Sequence, residues 1–77
     1  MNKFPSRETV IHLRSQYPRG TRVQLVHMND PYSSLEPGDQ GTVEFIDDTG
    51  TIFCSWDNGS TLGVVYGEDY AVKILID

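Results

Sequence analysis

Apolar and polar residues alternate with a period of two over most of the chain after residue 20. This is the pattern of a strand with one face in the core and one in solvent. It predicts five short strands, at residues 21–26, 41–46, 51–56, 60–65 and 70–75. On the first three strands it predicts these inward-facing side chains: Val23, Leu25, Val43, Phe45, Ile52, Cys54 and Trp56. The chain is therefore expected to be mainly β.

The segment before the strands has a helical period instead. Val10, Leu13 and Tyr17 form one apolar stripe at helical spacing. Ser6 stands where the N-cap of such a helix is expected, because its hydroxyl can accept an N–H of the first turn. We therefore predict a helix over residues 6–16, which is too short to be stable unless its stripe packs on the strands.

The longest predicted link, residues 27–40, joins the first two strands. Its two prolines and one glycine favour a shaped loop, and loops of this length in small domains often carry function. Among the shorter links, Asn58-Gly59 is the strongest signal for a tight hairpin, because both residues tolerate positive φ. Together these features predict a single domain over residues 1–77: a five-stranded, partly open SH3-like barrel at 21–75 with one short N-terminal helix.

The net charge of −5 is unevenly distributed along the 77 residues. Residues 1–22 carry a net +4, whereas residues 23–77 carry a net −9. The acidic body weighs against direct nucleic-acid binding, because it repels phosphates. It leaves open the opposite role, an acidic mimic of nucleic acid that blocks a host DNA-binding protein.

The expected location follows from what the sequence lacks. No apolar run approaches the ~20 residues of a membrane-spanning helix, and the opening residues MNKFPSRE have no apolar stretch typical of a secretory signal. The single cysteine, Cys54, cannot form an internal disulfide, which favours a reducing compartment. We expect a cytoplasmic protein without a membrane partner.

Residues that could support catalysis or bind a metal occur without the usual spacing. Cys54 has His12 and His27 as possible bases, but its predicted inward orientation indicates an inert thiol. Three groups of carboxylates fall in predicted turns, at Asp47-Asp48, Asp57 and Glu68-Asp69. In turns such residues usually hydrogen-bond their own backbone, and none follows a metal-binding register. We therefore expect no enzyme activity, no metal and no cofactor.

Eight short motifs resemble, in order, those of a known family. They are YPRGTRVQL (17–25), MNDPY (28–32), LEPG (35–38), GTV (41–43), DDTGTI (47–52), WDNGS (56–60), LG (62–63) and YGED (66–69). The chain resembles an uncharacterised domain-of-unknown-function family of small SH3-like proteins encoded by phages, plasmids and conjugative elements. The resemblance implies a mobile-element origin and a bacterial host cell. It implies no reaction and no catalytic residues.

Seven aromatic and polar residues form the candidate binding site: Asp30, Tyr32, Trp56, Asp57, Asn58, Tyr66 and Glu68. Aromatic residues beside a long loop, with carboxylates at one end, are typical of peptide-binding grooves on SH3-like barrels. Two alternatives stay open. Trp56 can instead be a core residue, and Tyr32 can instead be an anchor that holds the loop on the barrel through Pro31.

The predicted function is a non-catalytic binding module, monomeric or homodimeric, whose groove at the long first loop engages a protein partner. One alternative is a protein that sequesters a small nucleotide signal in counter-defence, since aromatic faces stack on nucleobases. The other alternative is the acidic nucleic-acid mimic.

Overall fold

The computed structural model describes residues 4–30 and 32–75. Its elements, in chain order, are α1 (Arg7–Gln16), β1 (Arg22–His27), β2 (Gln40–Ile46), β3 (Ile52–Trp56), β4 (Gly63–Val64) and β5 (Tyr70–Lys73). The strands form one antiparallel sheet in the order β4-β3-β2-β1-β5. The prediction of a mainly β fold with five strands and one short N-terminal helix is confirmed.

The inner face of the sheet follows the predicted alternation in β1 and β3. Val23 and Leu25 of β1 are fully buried, and so are Cys54 and Trp56 of β3. Leu35, from the long first loop, is also buried in this core. The loop therefore contributes a side chain to the packing and does not only connect two strands.

The prediction for β2 is wrong at Phe45. The pairing of β2 with β3 shifts between Val43 and Phe45, so Glu44 is an extra residue on β2. A bulge of this kind reverses the side-chain alternation beyond it. Phe45 is consequently 56 % exposed, and the next residue, Ile46, is buried in its place. The Phe45 ring stacks on Phe53 with 4.7 Å between the ring centroids.

The turn after β3 spans the three residues predicted for it, 57–59, and the Trp56 N–H donates to the Ser60 carbonyl at 2.9 Å. Gly59 has a φ of 93°, whereas Asn58 does not adopt positive φ. The Asn58 Oδ1 atom instead accepts the Ser60 N–H at 2.9 Å. The turn therefore uses the asparagine side chain and needs left-handed backbone only at the glycine.

Helix α1 is held against one end of β2. The Ser6 hydroxyl accepts the Thr9 N–H, which confirms the predicted N-cap, and Val10 is buried in the core. The Arg14 guanidinium donates twice to the Ile46 carbonyl, at 3.1 and 2.9 Å, and once to Asp48 at 3.0 Å. These contacts fix the position of a helix that would be marginal alone. No helix in the described residues has the length and apolar character needed to cross a membrane.

Candidate binding cleft

A cleft with a volume of about 150 Å³ opens between α1 and the segment that joins β4 to β5. Buried apolar side chains form its floor: Ile52, Val64 and Ala71. Its walls are Leu13 and Tyr17 at the end of the helix, and Tyr66 and Tyr70 on the opposite side. Tyr66 is 45 % exposed and Tyr70 is 58 % exposed, so both rings are accessible from solvent. The cleft is thus an apolar depression surrounded by tyrosines.

The topology of the sheet explains why the cleft exists. β4 and β5 are the two outermost strands, and no described residues of one pair with the other. Residues 65–69 connect them in a compact turn, in which the N–H groups of Glu68 and Asp69 both donate to the Val65 carbonyl, at 3.1 and 2.9 Å. Because this turn is short, Tyr66 and Tyr70 are brought to the same opening, opposite the helix.

A close approach at Gly50 shapes the neighbouring surface. An added Cβ at Gly50 would lie 2.6 Å from Pro5 Cγ and 3.4 Å from Tyr66 Cβ, so only glycine leaves room for the segment before α1. The φ of Gly50 is 83°, which also favours glycine. Beyond this point Phe4, Tyr66 and Glu68 line a shallow groove, which continues the cleft outward because Tyr66 lines both.

Asp69 links the cleft to the long first loop. Its Oδ1 atom accepts the Asn29 N–H at 2.8 Å, and its Oδ2 atom accepts the Val65 N–H at 2.9 Å. One carboxylate thus fastens the start of the long loop to the turn that carries Tyr66. Asp69 also lines the cleft.

Charge is distributed asymmetrically around the cleft. Glu68 and Asp69 lie on the turn, and neither forms an ion pair with a described residue. On the helix side, the Lys73 ammonium lies 5.5 Å from the centroid of the Tyr17 ring, within the range of a cation–π contact. The turn therefore carries carboxylates, whereas an ammonium lies beside Tyr17, the lining residue at the end of the helix.

The structure distributes the seven predicted site residues over four places. Tyr66 and Glu68 lie at the cleft and its adjoining groove. Trp56 lies in the core, where it is 3 % exposed and its Nε1–H donates to the Leu62 carbonyl at 2.8 Å. Of the two interpretations of Trp56, the core residue is right, and its ring is not available to an open groove.

Asp57 and Asn58 are occupied by internal contacts. The carboxylate of Asp57 accepts two hydrogen bonds from the Arg22 guanidinium, at 2.8 and 2.7 Å. These hydrogen bonds hold the pKa of Asp57 below its ordinary value and raise the pKa of Arg22. The Asn58 Nδ2 atom donates to the Ser34 carbonyl at 3.3 Å, which joins the 57–59 turn to the long first loop.

Asp30 and Tyr32 lie in the long first loop. The Asp30 Oδ1 atom accepts the Tyr32 N–H at 2.9 Å, an Asx turn that shapes this part of the loop. The Tyr32 side chain is 94 % exposed, so it does not anchor the loop on the barrel. Pro31, which the anchor hypothesis also used, lies outside the described residues.

Several cleft residues were missed in the sequence. Leu13 and Tyr17 are assigned above to the packing stripe of the helix, and they do pack on the core, but their remaining surface forms a wall. Tyr70 begins a strand and gave no signal of its own. The available signal was the position of three tyrosines, Tyr17, Tyr66 and Tyr70, at or just beyond the ends of elements, since tyrosine combines an apolar ring with a polar tip.

The remaining candidate groups have structural environments. Burial, with a smaller effect from Glu44, raises the pKa of the Cys54 thiol to about 11. Partial burial opposes ionisation of Asp47, but hydrogen bonds from the Thr49 hydroxyl and from the N–H groups of Thr51 and Thr49 hold its pKa below the usual value. In residues 4–30 and 32–75, no group of three His, Cys, Asp or Glu residues is placed to hold a metal ion.

A comparison with known families identifies the chain at the level of its domain. The family described as "Domain of unknown function (DUF4314)" matches residues 6–74, which include α1, all five strands and every residue that lines the cleft. The chain belongs to this family. No curated protein and no solved structure matches this DUF4314 domain.

Proposed function

We propose that this DUF4314 domain is a non-catalytic binding module that holds an apolar side chain of a protein partner in the cleft. The observation that carries the proposal is the combination of a buried apolar floor with accessible tyrosine rings around it. Tyrosine is enriched in protein interfaces because its rigid ring buries a large area while its hydroxyl remains hydrogen-bonded. Such a depression matches the site that anchors one side chain in many interfaces.

The size of the cleft favours a side chain over a nucleotide. A volume of about 150 Å³ equals that of a cavity known to take one benzene molecule. Sites for whole small molecules usually enclose roughly 300–1,000 Å³. A single aliphatic or aromatic side chain therefore fits the cleft. The adjoining groove is larger, about 480 Å³, but of the described residues only Phe4, Tyr66, Gly67 and Glu68 line it. It offers a nucleotide few contacts, so the alternative of a sequestered nucleotide has less support.

The carboxylates give little support to the nucleic-acid mimic. Asp48, Asp57 and Glu44 are paired with arginines of the same chain, at 3.0, 2.7 and 3.6 Å. Asp47 and Asp69 accept backbone N–H groups. A mimic needs carboxylates presented together toward a partner, whereas these stabilise the domain itself.

The non-catalytic part of the proposal is supported by the state of the potential nucleophile. Cys54 is buried, and a pKa of about 11 keeps its thiol protonated at neutral pH. Its Sγ atom faces the Ile52 carbonyl at 3.9 Å and not a histidine. An activated cysteine requires a lowered pKa or an adjacent base.

The proposal includes an SH3-like architecture and a setting. The pairing of β1 with both β2 and β5, and the compact turn between the outermost strands, support a small, partly open barrel of that type. The resemblance of the eight motifs supports an origin on phages, plasmids or conjugative elements and a place in the cytoplasm of their bacterial host.

The proposal is tested by affinity capture from host-cell lysate, in which the bound proteins are quantified for four forms of the domain. The cleft variant is Tyr66→Ala with Tyr70→Ala. Tyr32→Ala tests the exposed tyrosine of the long first loop, and Phe45→Ala removes an exposed ring from the outer face of the sheet as a matched control.

We expect a specific partner to be retained by the wild type and by Phe45→Ala, and to be reduced by roughly tenfold or more with the cleft variant, the loss typical of interface hot spots. Recovery of the same proteins in the same amounts by all four forms would refute the cleft as the binding site. Loss with Tyr32→Ala alone would assign binding to the long first loop instead.

A further inference from the structure

We infer that the partner segment carries a lysine or arginine beside the apolar residue that enters the cleft, and that this cation lies on Glu68. The inference rests on the proposed function and adds the chemical class of the ligand. It follows from the distribution of charge around the opening, which is independent of the apolar character of the floor.

The turn between β4 and β5 presents negative charge without an internal counter-ion. Glu68 is exposed, and its carboxylate has no ion pair or hydrogen bond with a described residue. By contrast, Asp48, Asp57 and Glu44 each have an arginine partner in the chain. Glu68 is thus an acid beside the cleft that is available to a cation from outside.

Asp69 adds to the attraction of a ligand cation toward this turn. Both of its oxygens already accept N–H groups, at 2.8 and 2.9 Å, so it is poorly placed to bind a ligand cation directly. Neutral N–H donors do not remove its charge, which still adds to the negative potential at this side of the cleft. The segment that holds this turn, residues 54–72, contains no lysine or arginine.

Lys73 determines which side of the cleft the ligand cation prefers. Its ammonium lies over the Tyr17 ring on the helix side, 5.5 Å from the ring centroid. A second cation would be repelled there, whereas it is attracted at the turn that carries Glu68. The apolar anchor therefore enters between the tyrosines, and the neighbouring basic residue lies toward residues 66–69.

Selection from a displayed library of random peptides tests the inference without knowledge of the natural partner. The library is selected on the wild type, on the double variant Tyr66→Ala with Tyr70→Ala, on Glu68→Gln, and on Glu36→Gln. The last variant removes the same charge from the long first loop and serves as the matched control.

We expect the wild type and Glu36→Gln to enrich peptides with an aliphatic or aromatic residue adjacent to Lys or Arg. Glu68→Gln should enrich peptides with the apolar residue but without the basic one. For a selected synthetic peptide, Glu68→Gln should weaken binding by roughly two- to fivefold, as for an exposed ion pair, and added salt should reduce this difference.

Two other outcomes are distinguishable. Enriched peptides that need the tyrosines but show no basic residue would overturn the inference and leave the proposed function standing. No enrichment on the wild type, or enrichment that the double variant does not affect, would overturn both. Concentration-dependent self-association that saturates the cleft would replace the foreign segment by a second copy of the chain and would also overturn the inference.

Discussion

The long first loop and the cleft are built from similar residues, but their polar and aromatic groups have different tasks. Within the loop, Asp30, Ser33 and Asp39 each accept an N–H from the loop itself. Around the cleft, Glu68 has no such partner among residues 4–30 and 32–75, and Tyr66 and Tyr70 surround an open apolar floor. Acids and aromatic residues in a turn therefore do not by themselves indicate a binding site. A polar side chain is available to a ligand only if it does not already accept a hydrogen bond from the domain's own backbone.

The polar side chains of the 57–59 turn, like those of the long loop, are engaged in contacts within the domain. Asp57 is bound by Arg22, and Asn58 is bound to Ser60 and Ser34. Three of the residues predicted to bind a partner, Asp57, Asn58 and Trp56, thus stabilise the domain. The two that lie at the cleft region, Tyr66 and Glu68, combine an accessible side chain with a place beside the apolar floor.

Replacing Trp56 should have the strongest effect on stability, because Trp56 belongs to the core and does not line the cleft. Trp56→Ala removes a fully buried ring and should lower the free energy of unfolding by about 3–5 kcal/mol. Urea denaturation measures the loss, and Trp56→Phe, which keeps most of the apolar volume but loses the hydrogen bond to Leu62, should lose less. An alanine variant as stable as the wild type would mean that Trp56 does not belong to the core.

A smaller effect is expected at Asp69, where the two regions are joined. Asp69→Ala removes the acceptor of the Asn29 and Val65 N–H groups, and it should cost about 1 kcal/mol because water can replace exposed hydrogen bonds only in part. Hydrogen exchange should accelerate at both amides. Asp48→Ala, which removes one ion pair with Arg14, should leave them unchanged. Unaltered exchange in the Asp69 variant would show that the loop and the cleft are independent.

The smallest effect is the pH dependence of the Asp57–Arg22 pair. Because Arg22 lowers the pKa of Asp57 in the folded state, the ionised carboxylate stabilises the fold above its ordinary pKa of about 4. This contribution is lost as the pH falls through the lowered folded-state pKa. Thermal midpoints of the wild type and Asp57→Asn should differ only slightly at neutral pH, because Asp57 is exposed and Arg22 is partly exposed. They should converge in strong acid. A difference that persists unchanged in acid would contradict the assigned pairing.

Local patterns in the sequence predicted the parts of the fold that depend on near neighbours. Ser6 caps α1 as expected, since capping needs only the next few residues. The alternation along β1 and β3 placed Val23 and Cys54 in the core, because strand geometry turns every second side chain to the same face. At β2 the same argument failed. The bulge at Glu44 depends on the pairing with β3, and no alternation pattern shows it.

The candidate site was harder to predict from the sequence, because it also depends on contacts between distant segments. Tyr17, Tyr66 and Tyr70 are up to 53 residues apart, and they meet only because β4 and β5 are the outermost strands of one sheet with a helix end beside them. The sequence also left the exposure of Tyr32 open. The Asx turn with Asp30 fixes the backbone at Tyr32 but not the direction of its ring.

The element types, the helix cap, most of the inner face and the family could be predicted from the sequence, because each depends on residue type and short spacing. The burial of Trp56, the pairing of Asp57 with Arg22 and the apolar cleft between α1 and the β4–β5 turn could be seen only in the folded chain. Those outcomes depend on contacts between distant segments. Whether a polar or aromatic side chain can bind a ligand depends on which neighbours the folded chain places beside it.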